Sequence, residues 1–299
     1  MSISESKIKK NNWVSAVIID DDDETPSENV VMPTLTNIET IVKVEKKQRK
    51  PRVKSVIETS VNEKAEKKEK VVDTTCLLKK FYHLDSSIIE IGADEAGRGP
   101  MFGRVYSGAV VLPKDDSFDH YKMKDSKKFT SKNNKKIQEV ADYIKANAIA
   151  WAVEYEDERV IDEINILQAT QSAMHKAIRS VLRQIKDLDT NNLFLLIDGN
   201  YFKQLTVFNK SNNRIENAKF ETIEGGDNKF TSIAAASILA KVERDKYIEE
   251  LCIENPELIE KYGIDSNKGY GSKTHMDGIR KHGITKWHRR TFGLCKEFV

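Results

Sequence analysis

The chain has 299 residues, of which 39% are hydrophobic and 32% charged, and its net charge is +2. So small a charge does not argue for a nucleic-acid partner by itself, and any such case rests on where the basic residues cluster. Three cysteines, Cys76, Cys252 and Cys295, lie far apart without a CxxC pair, which argues against a zinc site or disulfide framework and for a reducing compartment. No apolar run approaches the ~20 residues that cross a bilayer, and Met1–Glu5 lacks a signal-peptide core. A soluble, intracellular protein without a membrane partner is the expectation.

Residues 1–84 hold an acidic cluster, Asp20 to Glu24, and then a lysine-rich stretch from Lys43 to Lys70 with few aromatics. Such a segment buries too little apolar surface to offset its ordering entropy, so it reads as a disordered extension. Within it, Lys46–Lys54 suits a nuclear-localisation signal or a nucleic-acid-binding arm, with a plain solvated tail as the alternative. Residues 85–299 read as one folded domain that ends in a helical region.

Ile88–Ala93 reads as a strand ending at Asp94, and Val105–Leu112 as a second strand stopped by Pro113. The glycine-rich link between them suits an antiparallel hairpin with an elaborated turn. A helix is expected over about Asn133–Lys145, a third strand over Ala148–Val153, and a long helix over about Arg159–Ile185, where apolar residues recur at helical spacing. Asn192–Ile197 is a continuous apolar run closed by Asp198-Gly199, as suits a fully buried strand. The stretch around Asn209–Arg214 suggests an exposed hairpin or loop. Lys219–Ile223 is an edge-strand candidate stopped by Gly225-Gly226, and Phe230–Leu251 is an alanine-rich helix. Strands first, buried helices after and a helix crossing between them indicate an α/β domain with a mixed sheet flanked by helices.

Acidic residues stand where the chain leaves these buried elements: Asp94 and Glu95, Asp198, and Asp227. Ligand sites of α/β sheets assemble at the carboxyl ends of strands. Four converging carboxylates repel one another unless cations lie between them, and oxygen donors without a nearby Cys or paired His favour Mg²⁺ or Mn²⁺ over zinc. Two such ions would suit phosphodiester cleavage. Singly, Asp227 could be only a helix cap and Asp198-Gly199 only a turn. Gly97-Arg98-Gly99 follows the acidic pair directly; its glycines let the main chain approach a ligand, and Arg98 can hold a phosphate.

The segments Gly92–Pro100, Asp125–Lys128, Ile197–Asn200, Gly226-Asp227, Ala234–Val242 with Arg244-Asp245, Lys268–Gly271 and His288–Phe292 together resemble, in order, the signature of ribonuclease HII. The resemblance covers about residues 86–299. It implies an RNase H-like fold and an endoribonuclease that hydrolyses the RNA strand of RNA/DNA hybrids and nicks 5′ to single ribonucleotides in duplex DNA, leaving 3′-hydroxyl and 5′-phosphate ends. It assigns Asp94, Glu95, Asp198 and Asp227 as catalytic metal ligands, and Gly97, Arg98, Gly99 and Tyr270 as readers of the 2′-hydroxyl, the group that separates RNA from DNA. Asn200 belongs to the same substrate-binding set.

Lys127, Lys128, Lys268, Arg289 and Arg290 are candidate phosphate contacts, with solvated surface charge as the alternative for each. His282 and His288 read as structural or phosphate-contacting, since a metal-bound water needs no separate base. Ser237 reads as a small residue that permits close helix packing. A monomer is expected, and Gly293–Val299 shows no convincing motif for a sliding clamp. The alternative function is a non-catalytic hybrid-binding subunit of the same fold.

Overall fold

The computed structural model describes residues 78–123, 134–186 and 189–299. The basic segment 46–54, Cys76, Lys127 and Lys128 lie outside the described residues. Packing begins at the first of these stretches: the Lys79 amide donates to the Lys229 carbonyl, and the Lys79 carbonyl accepts from the Thr231 amide. The folded unit therefore reaches at least as far as Leu78, seven residues before the boundary expected at 85.

The elements follow the apolar pattern in chain order: β1 (Ile89–Ala96), β2 (Val105–Val111), α1 (Asn134–Asn147), β3 (Ala150–Glu156), α2 (Glu158–Gln184), β4 (Leu193–Asp198), β5 (Thr206–Asn209), β6 (Arg214–Asn217), β7 (Lys219–Ile223), α3 (Thr231–Glu254), α4 (Glu257–Tyr262), α5 (Ile264–Asn267) and α6 (Lys273–His282). The main sheet runs β3-β2-β1-β4-β7, with β1 antiparallel to β2 and parallel to β4, while β5 and β6 form a separate hairpin. That hairpin occupies the interval where an exposed loop or hairpin is expected from sequence, and β7 is the edge strand.

Two features differ from the sequence reading. Strand β1 does not end at Asp94 but continues through Ala96, because backbone pairing with β2 runs on from Asp94↔Gly108 to Ala96↔Tyr106. Ladder hydrogen bonds are made by main-chain groups, so two acids do not stop them. The helix over Glu158–Gln184 is kinked at Asn165, whose φ is 69°. The Asn165 side chain accepts from the Leu167 and Gln168 amides, so it caps a second helical segment. Apolar periodicity runs through such a junction unbroken and cannot reveal it.

The sheet is covered on both faces. On one side Met174, Ala177, Ile178 and Val181 of α2 pack on Ile91, Ala93, Ala109, Leu195 and Ile197. On the other, α3 contributes Ala234, Ala235, Ala236, Ile238 and Leu239 to a core shared with Val110 and with Ile137 and Ile144 of α1. Helix α3 lies unusually close to the strands. A Cβ added at Gly92 would fall inside the backbone of Ser232 and within 2.6 Å of the Ile233 amide nitrogen, and one at Gly108 would fall on the Ala236 carbonyl. The alanines of α3 and these two glycines are one packing solution, in which side-chain volume is removed so that the helix can sit on the sheet.

A third core joins the C-terminal end of α3 to α4, α5 and α6 through Ile248, Leu251, Leu258, Tyr262, Ile264 and Ile279, with Met101 and Phe102. The C-terminal region is thus fastened to the loop that follows β1. The Gly103 amide donates to the Trp287 carbonyl and the Arg289 amide to the Met101 carbonyl.

Candidate active site at the end of β1 and β4

Strand register brings the first two acids together. Ile89↔Leu193 through Ala93↔Ile197 run in parallel alignment, so Asp94 and Asp198 are the next residues of two hydrogen-bonded neighbours. Asp94, Glu95 and Asp198 line a cleft of about 540 Å³ together with Gly97, Arg98, Gly99, Lys268 and Tyr270. Nine residues implied by distant stretches of the sequence are thereby sorted: these eight share the cleft, and Asp227 stands just outside its lining.

Asp94 is 4% exposed. Burial raises its carboxyl pKa well above the usual carboxylate range, and the neighbouring charges of Glu95 and Asp198 raise it further. Hydrogen bonds from Ser237 and from the Glu95 amide, the latter at 2.6 Å, act in the opposite sense. Ser237 on α3 therefore does more than allow close packing: it faces the cleft and donates to the key carboxylate. Glu95 is tethered by Arg98, whose Nη1 lies 3.2 Å from Oε1.

Asp198 accepts from the Gly226 amide at 2.6 Å. That bond draws the turn before α3 up to the end of β4 and sets Asp227 beside the cleft. Asp227 is 1% exposed and accepts from Asn228 Nδ2 at 3.1 Å. It is not the N-cap of α3, which is Phe230, so the cap reading does not apply to it.

Whether these residues suit a cation follows from their chemistry. The donors are carboxylate oxygens alone, and Asp94 is buried against two like charges, an arrangement that a divalent ion drawn between them would relieve. As the side chains stand, no three His, Cys, Asp or Glu residues among those described are gathered into a ligating group. The residues fit a hard cation in kind, and binding one would pull their oxygens inward.

The opposite wall holds the glycine loop and Tyr270. Gly97 has φ 96°, a conformation that disfavours side chains, and a Cβ there would collide with Arg244. Tyr270 is 52% exposed, and its ring edge lies in van der Waals range of the position a Gly99 Cβ would take. An open tyrosine face beside a bare backbone segment is apolar on one side and hydrogen-bonding on the other. Lys268, at φ 51°, also lines the cleft and pairs with Glu249 at 3.1 Å.

Arg289 departs from the expectation of a phosphate contact. It is fully buried, and its guanidinium donates to five carbonyls: Nη2 to Gly97 and Arg104, Nη1 to Arg98 and Pro100, and Nε to Gly103. Burial pulls its pKa down to about 9, with Arg244 adding to the shift. Its donors are spent on shaping the loop from inside, which leaves none for substrate. Arg290 is exposed but outside the cleft lining, and its amide donates to Asp162 on α2 at 2.8 Å. Asn200 is exposed and also outside the lining.

Sequence reasoning assigned no site role to four residues that line the cleft with the predicted ones: Lys241, Arg244 and Asp245 on α3, and Ser266. Lys241 Nζ lies 2.8 Å from Asp245 Oδ2. Their signal was present in the spacing Ser237, Lys241, Arg244, Asp245, which is one helical face, but this face is hidden in a helix buried nearly all round.

The family model for ribonuclease HII matches residues 91–295. Ribonuclease HII of Parabacteroides distasonis is 42% identical over 215 residues, covering 72% of this chain and 95% of that protein. Ribonuclease HII of Bacteroides thetaiotaomicron is 42% identical over 212 residues, covering 71% and 93% respectively. Among solved structures, ribonuclease H2 from Pyrococcus horikoshii shares the fold, with a TM-score of 0.53 at 22% identity over 71% of this chain and 97% of that one. The match across the described sheet and C-terminal helices, together with identity that spans nearly the whole of these bacterial relatives, shows that the chain belongs to the ribonuclease HII family of endoribonucleases.

Proposed function

We propose that this chain hydrolyses the RNA strand of RNA/DNA hybrids and nicks duplex DNA on the 5′ side of single embedded ribonucleotides, as a step in removing ribonucleotides during DNA replication and repair. The observation that carries the reading is one cleft that joins Asp94, Glu95 and Asp198 to Gly97-Arg98-Gly99 and Tyr270. A group that can cut a phosphodiester stands beside a group that can test a ribose.

Asp94, Glu95, Asp198 and Asp227 would hold Mg²⁺ or Mn²⁺. When bound, such ions activate a water and stabilise the attacking and leaving oxygens of an in-line displacement, giving 3′-hydroxyl and 5′-phosphate ends. The remaining work falls to the chain. Ser237 and the Glu95 amide hold the Asp94 carboxylate, and the Gly226 amide holds that of Asp198, which lowers the cost of arranging them when substrate arrives. Gly97, Arg98 and Gly99 offer main-chain groups and one guanidinium to the sugar-phosphate backbone, and Tyr270 offers its ring to the sugar. Lys268, at the same cleft, supplies charge that favours the phosphate strand.

The test is a duplex DNA carrying one ribonucleotide. The unaltered protein should nick it 5′ to the ribonucleotide in Mg²⁺ or Mn²⁺, and Asp94→Asn should lower the rate by about a thousandfold or more while largely sparing binding. Well-folded protein that binds but does not cut in either metal would support a hybrid-binding subunit instead.

A further inference from the structure

We propose that His275 and His288 are positioning residues, which hold Tyr270 against the glycine loop through a buried hydrogen-bond relay of fixed direction. The proposal rests on the reading of Tyr270 as the ribose-facing residue.

Both imidazoles are buried, and their Nε2 atoms lie 3.1 Å apart. His288 Nδ1 receives the Thr285 amide at 3.0 Å, and a backbone amide can only donate. That nitrogen is therefore an acceptor, which places the His288 proton on Nε2. His288 Nε2–H must then donate to His275 Nε2, which leaves the His275 proton on Nδ1. His275 Nδ1–H in turn donates to the Tyr270 carbonyl at 2.9 Å. One amide thus dictates two tautomers and the direction of three bonds.

The ends of the relay are the two halves of the recognition wall. Tyr270 is at one end; at the other, His288 adjoins Arg289, which shapes the loop from Gly97 to Arg104. Phe102, from that same loop, sets its ring edge-on to both imidazoles, at 6.4 Å from His275 and 5.1 Å from His288. Both histidines are held neutral by burial, His288 down to about 3. A neutral pair is what the relay requires, since a second proton on either ring would remove an acceptor.

Two substitutions of His275 separate this role from mere packing. Asparagine can keep a donor near the Nδ1 position, toward the Tyr270 carbonyl, and glutamine can keep an acceptor near Nε2, toward His288, while losing the donor. The readout is the ratio of kcat/KM on duplex DNA with one ribonucleotide to that on a long RNA/DNA hybrid, with thermal melting as a fold check. His275→Gln should lower the ratio about tenfold, the scale of one lost hydrogen bond, and His275→Asn, which keeps the bond to the Tyr270 carbonyl but loses the link to His288, should lower it clearly less. Equal ratios in the two variants would overturn the proposal.

A measurement on the unaltered protein decides if neither variant folds. Nitrogen NMR should find His275 protonated on Nδ1 and His288 on Nε2, and the reverse assignment would overturn the relay. Tyr270→Ala separates the two levels of argument. If it lowers the ratio and His275→Gln does not, the relay alone fails; if it leaves the ratio unchanged, the ribose role of Tyr270 fails and the relay's function with it.

Discussion

Two regions meet at the cleft, and they are held together by opposite physics. The carboxylate wall is built by strand register and gathers like charge: Asp94 is buried beside Glu95 and Asp198, with Arg98 paired to Glu95. The recognition wall is built by buried donors that are almost fully satisfied, with Arg289 serving five carbonyls and two histidines linked in series. The first region concentrates charge of one sign, and the second is tied together by internal hydrogen bonds. On the proposed function, chemistry falls to the wall where like charges gather and selectivity to the wall tied by internal hydrogen bonds.

Substitutions should have opposite signs in the two walls. Arg289→Met leaves five carbonyls without their donor, and urea unfolding should show a loss of about 3–5 kcal/mol. A loss under 1 kcal/mol would mean that the loop does not depend on this side chain. In the sheet beneath both walls, Gly92→Ala drives a methyl into α3, and a loss of about 2–3 kcal/mol is expected from the forced separation. By contrast, Asp94→Asn should raise metal-free stability by about 0.5–2 kcal/mol even as it removes cleavage. A destabilised Asp94→Asn would break the contrast drawn here.

Acid tests the recognition wall through a group whose shift is opposite in direction to that of Asp94. His288 is held neutral in the folded chain, with its pKa lowered to about 3, so below the ordinary histidine range the unfolded chain binds the extra proton. Stability from this source is fully present above about pH 6.5 and falls as pH drops through the window between 6.5 and 3; it should be lower by about 2 kcal/mol at pH 5. The groups that face this imidazole are His275, Tyr262, Thr285 and Phe102. Replacing His288 by Gln should flatten this slope, and an equal slope in both proteins would assign the acid sensitivity elsewhere.

The carboxylate wall was readable from sequence because its causes are local. Apolar runs end in acids, and the strands that carry them must be neighbours for a mixed sheet to form. The edge strand Lys219–Ile223 and the alanine-rich helix were likewise marked by short-range pattern. The recognition wall was readable only as a set of motif positions. Arg289 looks like any surface arginine until its carbonyl partners, nearly two hundred residues away, are known. The roles of Asn165 and of Ser237 toward Asp94 were not legible for a related reason: each is a small polar residue whose role depends on individual hydrogen bonds, to a helix end in one case and to Asp94 in the other. Periodicity records faces and is blind to individual bonds.

The span between Arg289 and its loop sets an order of events during synthesis. The Gly97 carbonyl is made 192 residues before the guanidinium that fixes it. At ~5–20 residues per second the loop waits roughly 10–40 s for its partner. Within that interval Asp198 and Asp227 join Asp94 and Glu95, so all four acids are made before the side chain that fixes the glycine loop beside them.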